Sequence, residues 1–248
     1  MTADTSSTST SLPQPFDTSL GSNFTSPGCP TFFNDFLANS TFQSCVPLSL
    51  LLQTSSGFFQ DTASVVRTTQ VLDASCNVNV AACASLMDYY ATEITKDDNC
   101  GPDYHMNNPT VVEAYEGLVA YQPVYQAGCL KAPSGSYCFA NAITNASSPT
   151  DSYPYYLPLG VALPGGSRPT CNSCLKMTMN ALWGYTSNST QPISQTYSDA
   201  ASQVNINCGP TFINGTNAVS RSGASVASGP SGLSTAVALL AILAVLFT

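Results

Sequence analysis

Residues 108–121 read NPTVVEAYEGLVAY, and this stretch predicts an amphipathic helix. Asn108 is a residue type that accepts hydrogen bonds from the free N–H groups of a first helical turn. Pro109 suits the next position, because the backbone N–H that proline lacks would have no partner there. The apolar side chains at helical spacing are Val112, Tyr115, Leu118 and Val119. We expect this stripe to face a protein core.

Helical periodicity continues on both sides of this segment. Residues 79–95 would place on one helical face the apolar side chains Val80, Cys83, Leu86, Met87 and Tyr90. Thr170 is suited to cap the helix that follows it. Shorter helices are predicted at 46–53, 61–74 and 194–206.

Strand signals are weak throughout the chain. No segment alternates apolar and polar residues between hairpin turns, so we expect little sheet. Residues 146–170 contain five prolines and the adjacent Gly165 and Gly166, which predict irregular structure there. The sequence therefore predicts a single all-α, mainly helical, disulfide-rich domain with disordered N- and C-terminal tails.

The chain has ten cysteines, an even number, and all lie between residues 29 and 208. They are Cys29, Cys45, Cys76, Cys83, Cys100, Cys129, Cys138, Cys171, Cys174 and Cys208. Disulfides persist in oxidising compartments, so five bridges and an extracellular location are expected, with the pairing left open. The pair Cys171 and Cys174 has zinc-ligand spacing and also the spacing of a redox pair. With a single histidine and no second such pair, structural bridging is the preferred interpretation.

The surface is predicted to be polar but sparsely charged. Only 8% of the residues are charged and the net charge is −8, with six Lys and Arg in total. So few cations cannot neutralise a run of phosphates, which argues against a nucleic-acid partner. Candidate N-glycosylation sites, each opening an Asn-x-Ser/Thr sequon, are Asn23, Asn39, Asn145, Asn188 and Asn214.

The predicted organisation has four parts. A Ser/Thr-rich disordered arm covers 1–24, the cysteine-rich helical ectodomain 25–210, a flexible linker 211–232 and an apolar tail 233–248. The start lacks the apolar region of a secretion leader, so we expect that a leader was trimmed off or that the start site is misassigned.

The C-terminal part has the composition of a glycolipid (GPI) attachment signal. Small residues at 222–224 precede a polar spacer and the apolar run 233–248. The expected attachment residue is Ser222, or else Gly223, and the tail would be removed on maturation. The alternative is a tail anchor, but a membrane span needs about 20 apolar residues and this run is shorter.

Few residues offer catalytic chemistry. No nucleophile elbow, phosphate loop or metalloprotease motif is present, and His105 is the only histidine. Glu113 and Glu116 lie three apart on one helical face, a spacing typical of a solvated face and also usable for acid–base work on a sugar. No catalytic residue, metal site or cofactor is therefore predicted.

Two further groups of residues could form binding sites. Asp97, Asp98 and Asp103 only loosely resemble an oxygen-rich cation loop. The candidate ligand-stacking aromatics are Tyr153, Tyr155 and Tyr156, whose alternative role is to pack over the helices.

Five stretches carry a resemblance. They are LPQPFDTSLGSNFTSPGCPTFF (12–33), FQSCVPLSLLLQTSSGFFQ (42–60), NCGPDYHMNNPTVVEAYEGLVAYQPVYQAGCL (99–130), YYLPLGVALPGGSRPTCNSCL (155–175) and INCGPTFI (206–213). Over roughly residues 13–215 the chain resembles an ascomycete fungal family of cysteine-rich, secreted proteins, usually GPI-anchored, that is defined by a domain of unknown function. The resemblance implies a fungal surface protein and transfers no catalytic residue.

These observations favour a non-enzymatic, GPI-anchored glycoprotein of the cell surface or cell wall, with a structural, adhesive or ligand-binding role. Its expected partners are the plasma membrane, through the lipid, and cell-wall polysaccharide. One alternative is a polysaccharide-remodelling enzyme, which requires two carboxylates about 5–9 Å apart in a groove. Another is a carrier of an apolar ligand, which requires a closed apolar cavity between helices.

Overall fold

The computed structural model describes residues 11–213, and these contain twelve α-helices, one 3-10 helix and no β-strand. The helices are α1 (Cys29–Ala38), α2 (Ser40–Ser44), α3 (Leu48–Thr54), α4 (Ser56–Asp61), α5 (Val65–Cys76), α6 (Val80–Ile94), α7 (Gly101–His105), α8 (Pro109–Val119), α9 (Tyr121–Gly128), α10 (Cys138–Ile143), the 3-10 helix η1 (Pro149–Leu159), α11 (Ser173–Trp183) and α12 (Ile193–Cys208). The prediction of a mainly helical fold is confirmed. None of the helices between residues 11 and 213 is both long and apolar enough to span a bilayer.

Helix α8 begins as predicted, and its buried face matches the predicted stripe in part. The Oδ1 atom of Asn108 accepts a hydrogen bond from Thr110 N at 3.2 Å. The buried residues are Val111, Ala114, Gly117 and Leu118, whereas Val112, Tyr115 and Val119 are only half-buried. Three residues of the predicted stripe do meet the core, since Leu118 is buried and Tyr115 and Val119 pack half-buried against it. The prediction left out Val111, Ala114 and Gly117, which complete the buried face. Gly117 faces Leu50 of α3, whereas the Tyr115 ring packs against the Tyr104 ring of α7 with centroids 4.8 Å apart.

Close approach of α3 explains this choice of face. A Cβ atom on Gly117 would lie 3.3 Å from the Cα of Leu50 and in overlap with the Leu50 side chain. On α9, a Cβ on Gly128 would lie 2.5 Å from Leu48 Cδ2. The two glycines thus let α8 and α9 pack against α3 at short range.

Helix α6 buries its predicted face, whereas α11 is capped by a different residue from the one predicted. Helix α6 buries Cys83, Met87 and Tyr90 on the predicted face. Helix α11 is capped by Asn172, whose Oδ1 accepts from Leu175 N at 2.9 Å, so the prediction that Thr170 caps it was wrong. The N–H of Thr170 instead donates to Asp151 Oδ1 at 2.6 Å.

The core consists of two hydrophobic clusters that share α3. Leu50 belongs to a first cluster with the buried faces of α1, α6 and α8, including Phe33, Phe36 and Met87. Leu48 and Leu51 belong to a second cluster with α9, η1, α11 and α12. Because adjacent residues of α3 enter both clusters, this short helix lies between the two halves of the core.

All ten cysteines are paired, which confirms the predicted five disulfides. The bridges are Cys29–Cys100, Cys45–Cys83, Cys76–Cys129, Cys138–Cys174 and Cys171–Cys208. The largest closes a separation of 71 residues and the smallest one of 36. Each constrains the unfolded chain and is expected to stabilise the fold by about 2–4 kcal/mol.

The N-terminal segment of the domain is ordered, contrary to the predicted arm. The Phe16 ring packs edge-on against Phe33 with centroids 5.2 Å apart. Asp17 accepts hydrogen bonds from Ser55 Oγ at 2.7 Å and from the N–H of Gly57 at 2.8 Å. The arm prediction is therefore wrong for residues 11–24, and residues 1–10 lie outside the described part.

The ordered domain also extends past the predicted boundary at residue 210. Ile213 is buried, and its N–H donates to Asn205 Oδ1 at 2.9 Å. The remaining linker, from residue 214, and the tail 233–248 lie outside the described residues.

Candidate functional site

The proline-rich segment 146–170 contains regular structure where none was predicted. Residues Pro149–Leu159 form η1, which ends at Gly160 with a left-handed φ of 76°. Proline fixes φ near −65°, a value that 3-10 geometry accepts, so Pro154 and Pro158 are compatible with this helix. The prediction of irregular structure was therefore wrong for residues 149–159, whereas residues 146–148 and 160–170 form no helix or strand.

A cavity of about 140 Å³ lies between α10, η1 and α11, beside the Cys138–Cys174 bridge. We call it the Asp151 pocket. The polar residues in its wall are Asn141, Asn145, Asp151, Tyr155, Thr170, Asn172 and Thr178. Its wall contains no lysine, arginine or histidine, so it offers amides, hydroxyls and one carboxylate. Such a wall suits a small neutral polar group better than an anion or a lipid chain.

Asp151 organises the polar side of the pocket. Its Oδ1 accepts from Ser148 Oγ at 2.7 Å and from Thr170 N at 2.6 Å. Its Oδ2 accepts from Asn145 Nδ2 at 2.8 Å. The carboxylate thus fixes the loop before η1 to the segment that leads into α11. Sequence reasoning missed Asp151, although it is the only acidic residue between Glu116 and Asp199.

The three tyrosines predicted as a stacking platform have other surroundings. Tyr155 is buried, its ring lies edge-on to Phe139 at 4.9 Å, and its hydroxyl bonds with Thr178 Oγ1 at 3.0 Å. Burial raises the pKa of the Tyr155 hydroxyl far above its ordinary value. Tyr153 and Tyr156 pack half-buried against the second core cluster. The structure therefore places Tyr155 in the core, where its ring cannot stack on a ligand.

Glu113 and Glu116 are both half-buried on α8. Burial raises the pKa of each carboxyl, and the neighbouring Glu113 adds to the rise at Glu116. Glu116 Oε1 lies 3.1 Å from the point where a Cβ on Gly160 would stand, so it faces the end of η1. Neither glutamate lines the Asp151 pocket.

The three aspartates weighed as a cation loop do not act together. Asp97 and Asp98 are exposed, whereas Asp103 is 1% exposed. Asp103 accepts from Thr25 N at 2.7 Å and Ser26 N at 2.8 Å, and so holds residues 25–26 against α7. Burial acts to raise the pKa of Asp103, but the hydrogen bonds outweigh it and the pKa lies below its ordinary value. Among residues 11–213, no three or more His, Cys, Asp or Glu side chains form a group that could hold a metal.

Two other sequence candidates are now placed. His105 is exposed at the end of α7. Cys171 and Cys174 bond to Cys208 and Cys138 respectively, so they are neither zinc ligands nor a mutual redox pair.

A second, more open depression of about 400 Å³ adjoins the Cys45–Cys83 bridge and is lined in part by Asp73 and Asn79. Asp73 Oδ1 accepts from Tyr137 Oη at 2.9 Å. This depression also excludes Glu113 and Glu116, which therefore share neither of the two cavities.

The glycosylation candidates differ in exposure. Asn23, Asn39 and Asn188 are exposed, and Asn145 is half-buried in the wall of the Asp151 pocket. Asn214 and the attachment candidates Ser222 and Gly223 lie outside the described residues.

Comparison with known proteins gives a family and no function. No curated protein and no solved structure matches the chain. The family model described as a domain of unknown function, DUF7729, matches residues 11–218. That match spans most of the 248 residues, including every residue of the helical domain. The chain therefore belongs to the family defined by the domain of unknown function DUF7729.

Proposed function

We propose that this protein is an extracellular glycoprotein of the cell surface or cell wall, tethered by a GPI lipid, with a non-catalytic structural, adhesive or ligand-binding role. The observation that carries the proposal is the pairing of all ten cysteines in five bridges. A fully oxidised set of this size is typical of secreted domains and rare in the cytosol.

The tether is inferred from the sequence of the last part of the chain. Small residues at 222–224, a polar spacer and the apolar run 233–248 match the order of a GPI-attachment signal. The resemblance noted above adds a fungal origin and cell-wall polysaccharide as the partner to test first.

A non-catalytic role is favoured over a polysaccharide-remodelling enzyme. Glu113 and Glu116, whose raised pKa values would suit a general acid, line neither of the two cavities described above. Tyr155, which would have formed a sugar platform, is in the core. A carrier of an apolar ligand is also disfavoured, since about half of the residues that line the Asp151 pocket are polar and one of them is a carboxylate.

Surface labelling tests the proposal. The chain would be given a secretion leader and an epitope tag after residue 12, expressed in a fungal host, and labelled on intact cells with a membrane-impermeant amine reagent. We expect labelled protein in which peptide mapping without reductant recovers all five bridges. Protein that is protected from the reagent until cells are lysed, with alkylatable thiols, would contradict the proposal.

A further inference from the structure

Asn145 differs from the other described sequon asparagines in what its amide nitrogen does. Asn145 Nδ2, the atom to which an N-linked glycan is joined, donates to Asp151 Oδ2 at 2.8 Å. At Asn39 and Asn188 the hydrogen bonds are made through Oδ1, to residues of the same turn. The glycan-bearing atom of Asn145 therefore lies at the wall of a cavity, whereas those two side chains face solvent.

The chemistry of that cavity suits a sugar. Its polar wall offers the Asp151 carboxylate, amides and the Thr178 and Tyr155 hydroxyls, with no cationic group. Neutral sugar hydroxyls and an acetamido group both donate and accept hydrogen bonds, so they can pair with amides and hydroxyls, which do the same, and with a carboxylate, which only accepts. The volume of about 140 Å³ is below the range of about 300–1,000 Å³ for drug-sized ligands and favours a single ring.

Attachment of a glycan to Asn145 would preserve the hydrogen bonds that surround Asp151. A glycosylated asparagine keeps one of its two Nδ2 hydrogens, which can continue to donate to Asp151 Oδ2. Asn145 Oδ1 accepts from Ser147 N at 3.1 Å, and this bond does not involve the nitrogen.

We propose that Asn145 carries an N-linked glycan whose first N-acetylglucosamine is seated in the Asp151 pocket, where it acts as a built-in part of the domain. The inference rests on the proposed secretion, because only a secreted chain meets the glycosylation machinery. The pocket then has an occupant supplied by the chain itself, and the glycan at Asn145 has a structural role that glycans at the exposed sequons lack.

Deglycosylation of the folded protein tests whether the first sugar at Asn145 lies in the Asp151 pocket. The leader-bearing chain would be expressed in a glycosylating host, treated in its folded state with peptide-N-glycosidase, and analysed by site-resolved mass spectrometry. We expect release at Asn145 to be at least about tenfold slower than at Asn39 and Asn188, because cleavage of a seated sugar requires local opening. In denaturant the rates should converge.

Two matched variants distinguish the effect of the glycan on stability from the effect of the Asn145 side chain. Ser147→Ala removes the Asn145 sequon but keeps the Asn145–Asp151 hydrogen bond, and Thr41→Ala removes the exposed Asn39 sequon. We expect Ser147→Ala to lower Tm by roughly 2–4 °C and Thr41→Ala to leave it unchanged.

The outcomes are distinguishable. Glycans at Asn39 and Asn188 but none at Asn145 would overturn the proposed position of the sugar in the pocket. A glycan at Asn145 that is cleaved as quickly as those at Asn39 and Asn188 would overturn it too. Either result would leave the proposed surface function intact. Secreted protein with no glycan at any sequon would likewise overturn the proposed glycan position alone, whereas protein that fails to reach the cell surface would remove the proposed function, and the glycan position with it.

Discussion

Replacement of Asp103 by asparagine probes the contact that fixes the start of the domain. Thr25 N–H and Asn108 Nδ2 donate to one carboxylate oxygen, and Ser26 N–H donates to the other. Asparagine offers a single oxygen, so in its best orientation its NH₂ group faces the Ser26 N–H. One charge-assisted hydrogen bond, worth about 1.5–3 kcal/mol, is lost, and a buried N–H is left without an acceptor. We expect a loss of about 2–4 kcal/mol in the free energy of unfolding.

The effect should depend on pH in a defined direction. Because the pKa of Asp103 is lower in the folded protein than in the unfolded chain, its contribution is complete above the unfolded pKa of about 3.9 and is lost as the pH falls through the folded pKa. The gap between wild type and Asp103→Asn should therefore be widest at neutral pH and narrow below about pH 4.

Urea unfolding followed by the fluorescence of the single tryptophan, Trp183, measures this gap at pH 7 and pH 3. The control is Asp98→Asn, a neighbouring exposed carboxylate whose change should cost less than about 0.5 kcal/mol. A gap at pH 7 no larger than that of the control, or one that stays constant down to pH 3, would refute the reasoning.

Three further predictions follow from packing, hydrogen bonding and exposure. Gly117→Ala should lower the free energy of unfolding in urea by about 1–2 kcal/mol, because overpacking against α3 exceeds the gain in helix propensity. The control Gly165→Ala, at a position with open space around it, should change that free energy little. Equal effects of the two substitutions would contradict the close contact between Gly117 and Leu50. Tyr155→Phe should cost about 0.5–1.5 kcal/mol by calorimetry through loss of the bond to Thr178, and no loss would contradict that bond. The Cys171–Cys208 bridge should be reduced before the other four, because Cys171 is exposed to solvent. Alkylation mapping under limiting dithiothreitol measures this order, and simultaneous reduction of all five bridges would contradict it.

Local signals in the sequence predicted six of the twelve α-helices of residues 11–213, namely α3, α5, α6, α8, α11 and α12. Asn108 caps α8 as predicted, and the apolar spacing of residues 79–95 identified the buried face of α6. These features depend on neighbours within one or two turns, so they can be inferred without knowledge of the rest of the chain.

Long-range contacts explain the predictions that failed. The buried face of α8 depends on Gly117 meeting Leu50, 67 positions earlier in the chain. Asp103 finds its backbone donors 77 and 78 positions away, and no local pattern indicates them. The same limit applies to the disulfide pairing, which the cysteine count left open.

The Asp151 pocket was predictable from the sequence only in part, because some of its contacts are local and others are long-range. Ser148 and Asn145 are within six positions of Asp151, so an isolated acidic residue in a loop rich in Ser, Asn and Pro was a usable signal. Thr170 is 19 positions away, and the wall supplied by α11 follows only from the fold.

The most direct test of a tethered extracellular protein is its enzymatic release from intact cells. Cells expressing the leader-bearing, tagged chain would be treated with phosphatidylinositol-specific phospholipase or with wall glucanase, and the released protein analysed by mass spectrometry. The proposed function predicts release of tagged protein that lacks residues 233–248 and ends at Ser222 or Gly223. Retention of protein with residues 233–248 intact in a membrane fraction after both treatments would contradict it.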